Sequence, residues 1–208
     1  SLQDLMKTAP NAGNALFGST EVTSPDLKPV PQWARVLSKM KAERKAFRAC
    51  LDNPAACSSA GLKSWREVTA AAKGKPQLEV LKVVNLYFNR WPYKIDRELY
   101  GVNEFWATPR EFMKRSGDCE DYSIAKFFVL RDLGWSNDVM RIVILKDQIR
   151  RIGHAVLAVY AMNDILILDS LSDLIFSHRK YLHYVPQYSM NETTRWAHFY
   201  GKNRTASL

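Results

Sequence analysis

The stretch Ser116-Gly117-Asp118-Cys119-Glu120-Asp121-Tyr122 constrains this chain more than any other. A glycine breaks the chain, and a strongly apolar run follows at once through Ile124, Ala125, Phe127, Phe128, Val129, Leu130 and Leu133, closed by Gly134. This pattern predicts a helix buried on most sides, capped by Asp118 and ended by Gly134. Cys119 then lies in the first turn, where unpaired backbone N–H groups and the helix dipole favour a thiolate. A cysteine nucleophile needs that help, because the thiolate is the reactive form. The same residues also make an ordinary helix start, and cysteine is a common small core residue. The heptapeptide alone therefore reads equally as structure and as chemistry, and its partners elsewhere decide.

A chain of 208 residues with 47% apolar side chains can build one good core. The net charge is +9, but its basic residues are scattered: Arg150-Arg151 and Arg179-Lys180 are short pairs, and Lys39 to Arg48 is a mixed helical face. That distribution fits a solvated surface rather than a nucleic-acid groove, and leaves an acidic partner open. No apolar run approaches bilayer length, so no transmembrane span is expected, and no signal peptide is seen. Cys50 and Cys57 flank a turn-prone Leu-Asp-Asn-Pro-Ala-Ala stretch. They read equally as a small disulfide loop, which would imply an oxidising compartment, or as two free thiols.

Residues 1–31 carry little pattern and are expected as an arm or loop, followed by a single domain over 32–208. Its helical lobe, 32–134, should hold helices over Trp33 to Leu51, Leu62 to Lys73 and Gln77 to Trp91, and a short one starting at Thr108-Pro109-Arg110-Glu111. Its β lobe, 135–208, should hold strands over Val139 to Lys146, His154 to Tyr160 and Ile165 to Leu171, with Tyr181 to Val185 and Arg195 to Tyr200 outside them. Helices first and strands after argue an α+β fold, with the central helix packed on an antiparallel sheet.

Of the histidines at 154, 178, 183 and 198, His154 stands out because it follows Gly153 at the mouth of a buried strand. Asp169 sits among aliphatics in the next strand, where a carboxylate is costly unless paired. An imidazole N–H is a natural partner and would fix the tautomer whose other nitrogen faces a thiol. If Tyr160 to Asn163 form the loop, His154 and Asp169 face each other. A tight Asn163-Asp164 turn would instead place His154 opposite Asp173 and Asp169 opposite Ala158. Both registers keep the pair on one face, and the longer loop is the one predicted. A helix-start cysteine, a strand-mouth histidine and a next-strand aspartate together favour a Cys119, His154, Asp169 triad.

Trp106-Ala107-Thr108-Pro109-Arg110-Glu111-Phe112, Gly117-Asp118-Cys119-Glu120-Asp121-Tyr122, Gly153-His154-Ala155-Val156-Leu157 and Leu168-Asp169-Ser170-Leu171 together resemble the bacterial transglutaminase-like cysteine proteinases. The resemblance implies a papain-like, transglutaminase-core fold with Cys119 as nucleophile, His154 as base and Asp169 as orienter. It also implies a calcium-dependent endopeptidase of the periplasm. Such enzymes cut a large surface adhesin near its N-terminus, often at a di-alanine site, and so release biofilm cells. An inner-membrane receptor for cyclic di-GMP sequesters them.

The metal expectation has a physical side. Asp118, Glu120 and Asp121 place three acids around a cysteine that must ionise, and like charge raises a thiol pKa. A divalent cation on these carboxylates would offset that field, and hard oxygen donors suit calcium better than zinc. On the residues alone the favoured reading is a capping aspartate with two solvated acids, and it is the resemblance that turns it toward a metal. The Cys119 backbone N–H is the expected oxyanion donor, and the Trp106 indole N–H is a second candidate whose simpler reading is core packing. Two other functions share these residues: an acyl transferase in which an amine replaces water, and a calcium-binding interaction module with an idle triad.

Overall fold

A computed structural model describes residues 15–200, in which six α-helices and seven strands alternate with short 3-10 turns. The helices are α1 (Pro31–Asp52), α2 (Ala60–Ala72), α3 (Gln77–Asn89), α4 (Asp96–Tyr100), α5 (Pro109–Arg115) and α6 (Cys119–Asp132). The strands are β1 (Thr20–Ser24), β2 (Met140–Asp147), β3 (Ile152–Ala161), β4 (Asp164–Asp169), β5 (Ser172–Ser177), β6 (Tyr184–Met190) and β7 (Arg195–Phe199). They form one sheet in the order β1-β7-β6-β2-β3-β4-β5, antiparallel throughout. The fold is α+β.

Helix α6 is the axis of the molecule. Every residue from Asp121 to Leu130 is buried, because the helix has β2 and β3 on one side and other helices on the rest. Trp33 of α1 meets Phe127 and Phe128 at 5.8 and 5.9 Å between ring centroids. Trp65 of α2, Phe88 of α3 and Phe112 of α5 extend the same core. An all-round apolar helix has no stripe to orient it, so its direction is set by what surrounds it.

Local signals place the helix ends. Thr108 and Glu111 form a capping box at the start of α5, with Pro109 at its first position. Gly134, at φ +91°, follows the end of α6 in the left-handed conformation that glycine adopts cheaply.

Three strands differ from the sequence expectation. Thr20–Ser24, inside the segment expected as an arm, pairs along β7 as an edge strand. Its residues are mostly exposed, so it has no buried face to give an alternating pattern. The part of that arm before residue 15, and the tail after residue 200, lie outside the described residues. Ser172–Ser177, where no strand is named from the sequence, is the opposite edge strand. The strand expected at Tyr181 to Val185 runs instead from Tyr184 to Met190, through Pro186. Pro186 pairs with Leu145 where the register shifts, and β7 pairs with only Tyr188 to Met190 of this strand. Proline is tolerated at such an irregular place, where its missing N–H breaks no ladder.

The β3–β4 hairpin also corrects the expectation. Ala161 pairs with Asp164 and Leu157 with Leu168, around a tight turn at Met162 and Asn163. Both turn residues have positive φ, 53° and 57°, the conformation of the hairpin turn whose twist matches the strands. This register falls between the two considered. Continued by one step it sets Asp169 beside Val156, so Asp169 and His154 are diagonal neighbours on one face.

Candidate active site

Cys119 opens α6, and the chain leading to it is tightly held. The Lys94 N–H donates to the Gly117 carbonyl at 2.9 Å, and Tyr93 bridges to Gly117 as a short parallel pair. Ser116 has φ +69°, a strained conformation for a residue with a side chain. At Gly117 any side chain would collide with Asp121, whose Oδ2 lies 2.0 Å from where a Cβ would sit. Glycine is needed here for space. The Asp121 carboxylate fills that space and accepts from the Asp118 N–H at 3.2 Å and the Ala107 N–H at 2.6 Å.

Across the helix start lies β3. The Ala155 backbone N–H acts on the Cys119 thiol, so the sulfur rests beside the residue following His154. The His154 ring is buried, and its Nε2 lies 2.8 Å from Asp169 Oδ1. The Leu171 N–H donates to the same oxygen at 3.0 Å, and the Tyr184 hydroxyl donates to Oδ2 at 2.7 Å. Burial alone would raise the Asp169 pKa. The bond to His154, its charge, and the Leu171 and Tyr184 donors outweigh that and hold it below the ordinary carboxylate value. An ionised carboxylate can only accept, so Nε2 carries the proton and Nδ1 is the nitrogen left for other work.

On the other side of Cys119 is an acidic cluster. Carboxylate oxygens of Asp96, Asp118 and Asp121 all lie within 4.8 Å of one another. Burial and neighbouring acids push Asp96 up to about 6 and Asp118 up to about 8, and they push Asp121 up as well. Among the described residues, Asp96 Oδ1 and Asp118 Oδ1 are buried without a hydrogen-bond partner. Such a set of crowded hard oxygens with unused lone pairs fits a divalent cation of the calcium type. Glu120, the third acid expected there, sends Oε2 to the Cys119 sulfur at 3.2 Å and interacts with Asp118. Burial, then the Glu120 and Asp118 charges, push the Cys119 thiol well up.

The structure thus brings His154 to Asp169, Cys119 to β3, and Asp118 to Asp121. It adds two residues that the sequence did not single out. Asp96 comes from α4, and its carboxylate also accepts the Phe105 N–H. Tyr184 comes from β6. Neither has a local signature, since each reaches the site only through the tertiary fold. Trp106 is buried and its indole N–H donates to Glu104 at 3.1 Å, which fits the packing reading favoured from the sequence over the oxyanion donor. Cys50 and Cys57 form a disulfide, and Cys119 is the free cysteine.

Residues 41–204 match the model of the family described as bacterial transglutaminase-like cysteine proteinase. Solved structures of LapG from Legionella pneumophila share the fold. The calcium-bound form is 30% identical with a TM-score of 0.61, covering 71% of this chain and 83% of LapG. A second LapG structure is 29% identical with a TM-score of 0.62, covering 74% and 86%. The EGTA-treated form is also 29% identical at 0.62, covering 79% and 87%. No curated protein matches the sequence. The family match spans most of the chain and contains the cysteine, the histidine–aspartate pair and the acidic cluster; the chain belongs to the bacterial transglutaminase-like cysteine proteinases.

Proposed function

We propose that this chain is a calcium-dependent cysteine endopeptidase of the periplasm. On this reading it cuts the N-terminal region of a large surface adhesin, frees biofilm cells, and is held in check by an inner-membrane cyclic di-GMP receptor. The observation that carries the catalytic part is the 2.8 Å His154–Asp169 bond beside a free helix-start cysteine. The likeness to LapG, seen in calcium-bound and EGTA-treated forms, supports the metal. The Cys50–Cys57 disulfide supports an oxidising compartment. Among the described residues no helix is long and apolar enough to cross a membrane.

The chemistry assigned to these residues is acyl transfer to water. The Cys119 thiolate attacks the scissile carbonyl, and the backbone N–H at the start of α6 receives the oxyanion. The imidazolium of His154, held by Asp169, gives its Nδ1 proton to the leaving amine as the C–N bond breaks. His154 then takes a proton from water as that water attacks the thioester, and Cys119 is released. Asp96, Asp118 and Asp121 would hold the calcium, with Glu120 adjacent. Calcium bound there would neutralise the field that opposes thiolate formation and brace the Gly117 turn.

The test is incubation with recombinant N-terminal fragments of the large secreted adhesins encoded in the same genome, read by mass spectrometry. Cleavage should stop with Cys119→Ala or with EGTA, and calcium but not magnesium should restore it. Cleavage by the Cys119→Ala protein would remove the nucleophile, and indifference to EGTA would remove the metal. A product carrying an added amine in place of a cut chain would reassign the reaction to acyl transfer.

A further inference from the structure

Lys126 lies about two turns beyond Cys119 on α6 and is fully buried. Among the described residues, no carboxylate lies in ion-pair range of its ammonium. Its Nζ donates to Asn85 Oδ1 at 2.8 Å and to Asn89 Oδ1 at 2.7 Å, both on α3. An ammonium only donates, so it forces both amides to turn their oxygens inward and their NH2 groups the other way. Those NH2 groups meet the turn between β4 and β5. Asn85 Nδ2 donates to the Ser172 and Asp173 carbonyls at 2.8 and 3.2 Å. Asn89 Nδ2 donates to the Asp169 carbonyl at 2.9 Å, the Ser172 carbonyl at 3.0 Å and Asp173 Oδ1 at 3.2 Å.

We propose that Lys126 is a positioning residue for the His154–Asp169 pair, acting through Asn85 and Asn89 on the backbone that carries Asp169. The β4–β5 pairing is irregular between Ile167 and Asp169, so the ladder alone does not hold this turn. The two amides add bonds of their own to this backbone, and the lysine decides which way each amide points. A buried ammonium without a paired acid is expensive, and an apolar side chain would fill the same space more cheaply. Burial pushes its pKa down to about 7, against the charges of Asp169 and Asp173. What the charge secures is the orientation of two amides that would otherwise be free to flip.

The inference rests on the catalytic reading of His154 and Asp169, and its test does not need a substrate. In 15N-labelled protein, the His154 Nε2–H held by Asp169 should give a slowly exchanging low-field proton resonance that is absent in His154→Gln. Lys126→Met, which keeps the volume, and Asn89→Ala, at a half-buried position, should each abolish it or speed its exchange by about tenfold or more. The rate of Cys119 alkylation by iodoacetamide at pH 6, where an imidazolium partner is needed, should fall by a similar factor. In an Asp169→Asn background, Lys126→Met should lower that rate no further, because the two act in one chain. Near-UV circular dichroism reports folding; if Lys126→Met does not fold, Asn89→Ala decides. A wild-type spectrum without the resonance, a resonance unchanged in the folded variants, or a full additional loss in the Asp169→Asn background overturns the proposal. Wild-type alkylation no faster than a free thiol, with the resonance present and variant-sensitive, would instead sink the catalytic reading and leave the positioning role standing.

Discussion

The Tyr184 hydroxyl donates to Oδ2 of Asp169 at 2.7 Å, while His154 occupies Oδ1 of the same carboxylate at 2.8 Å. Each oxygen of a buried acid therefore has its own donor, and the carboxylate cannot rotate without breaking both. The His154 ring also meets the Tyr184 ring edge-on, at 5.7 Å between centroids. Tyr184 thus orients both members of the pair.

Tyr184→Phe keeps the ring and removes the donor. A hydrogen bond to a charged group contributes about 1.5–3 kcal/mol, so this variant should be less stable by that amount. Cleavage should slow by roughly tenfold, because Oδ2 loses its donor and the acid is then held through Oδ1 alone. Asp169→Asn should be far worse, on the order of 10²–10⁴-fold, because an amide does not hold the imidazole in the required tautomer. Steady-state cleavage and urea melts of both variants check this order; a Tyr184→Phe enzyme as slow as Asp169→Asn would contradict it.

Gly117→Ala should fail for a steric reason. The new methyl would overlap Asp121 Oδ2, so the carboxylate must leave its place against the Ala107 and Asp118 N–H groups. We expect a loss of roughly 1–3 kcal/mol, the usual size of overpacking. We also expect calcium titration, followed by calorimetry, to show weaker binding than wild type.

Glu111 predicts an acid limb of stability. Burial would raise its pKa, but Arg35, Lys39 and the Thr108 N–H overcome that and lower it from 4.5 to about 2. Arg35 and Lys39 reach it at 2.7 and 2.6 Å. A carboxyl with a lowered folded pKa stabilises the fold above its unfolded value and loses that contribution as pH falls through its folded value. Glu111→Gln should therefore melt lower than wild type at pH 7. The gap should close between pH 4.5 and pH 2. A gap independent of pH would assign the effect to the capping box alone.

The disulfide gives a prediction that is separate from catalysis. Cys50 and Cys57 close a loop of sequence separation 7 at the end of α1. Chain-entropy arguments put the stabilisation from so short a loop at about 2–3 kcal/mol. For a chain of this size, replacing both cysteines with serine should lower the melting temperature by roughly 4–12 °C. Cleavage by the folded protein should be unchanged, since the bridge lies near the Asp132 end of α6, the end opposite Cys119. A protein that keeps its fold but loses cleavage would show that the bridge shapes the site.

What the sequence by itself determined is local or periodic. Thr108, Pro109 and Glu111 fix the start of α5 within four residues, because a capping box needs nothing from the rest of the chain. Gly117, Asp118 and the apolar run fix the start of α6 in the same way, and with it the place of Cys119. The apolar stretches that become β2, β3 and β4 are legible because strands covered on both faces leave few polar positions. That His154 and Asp169 share a face follows from the period of two, which every register considered preserves.

Tertiary structure decided what depends on pairing across the fold. The β3–β4 register turned on Met162 adopting positive φ, which a methionine seldom does and which no local signal announces. Edge strands β1 and β5 exist because neighbouring strands offer them unpaired backbone groups, while their exposed side chains carry little pattern. Asp96 enters the acidic cluster, Tyr184 the Asp169 carboxylate and Lys126 the amides of α3 only once α4, β6 and α3 have packed. Charge and hydrogen bonding act over a few ångströms in space, and sequence separation says nothing about that distance until the backbone has closed it.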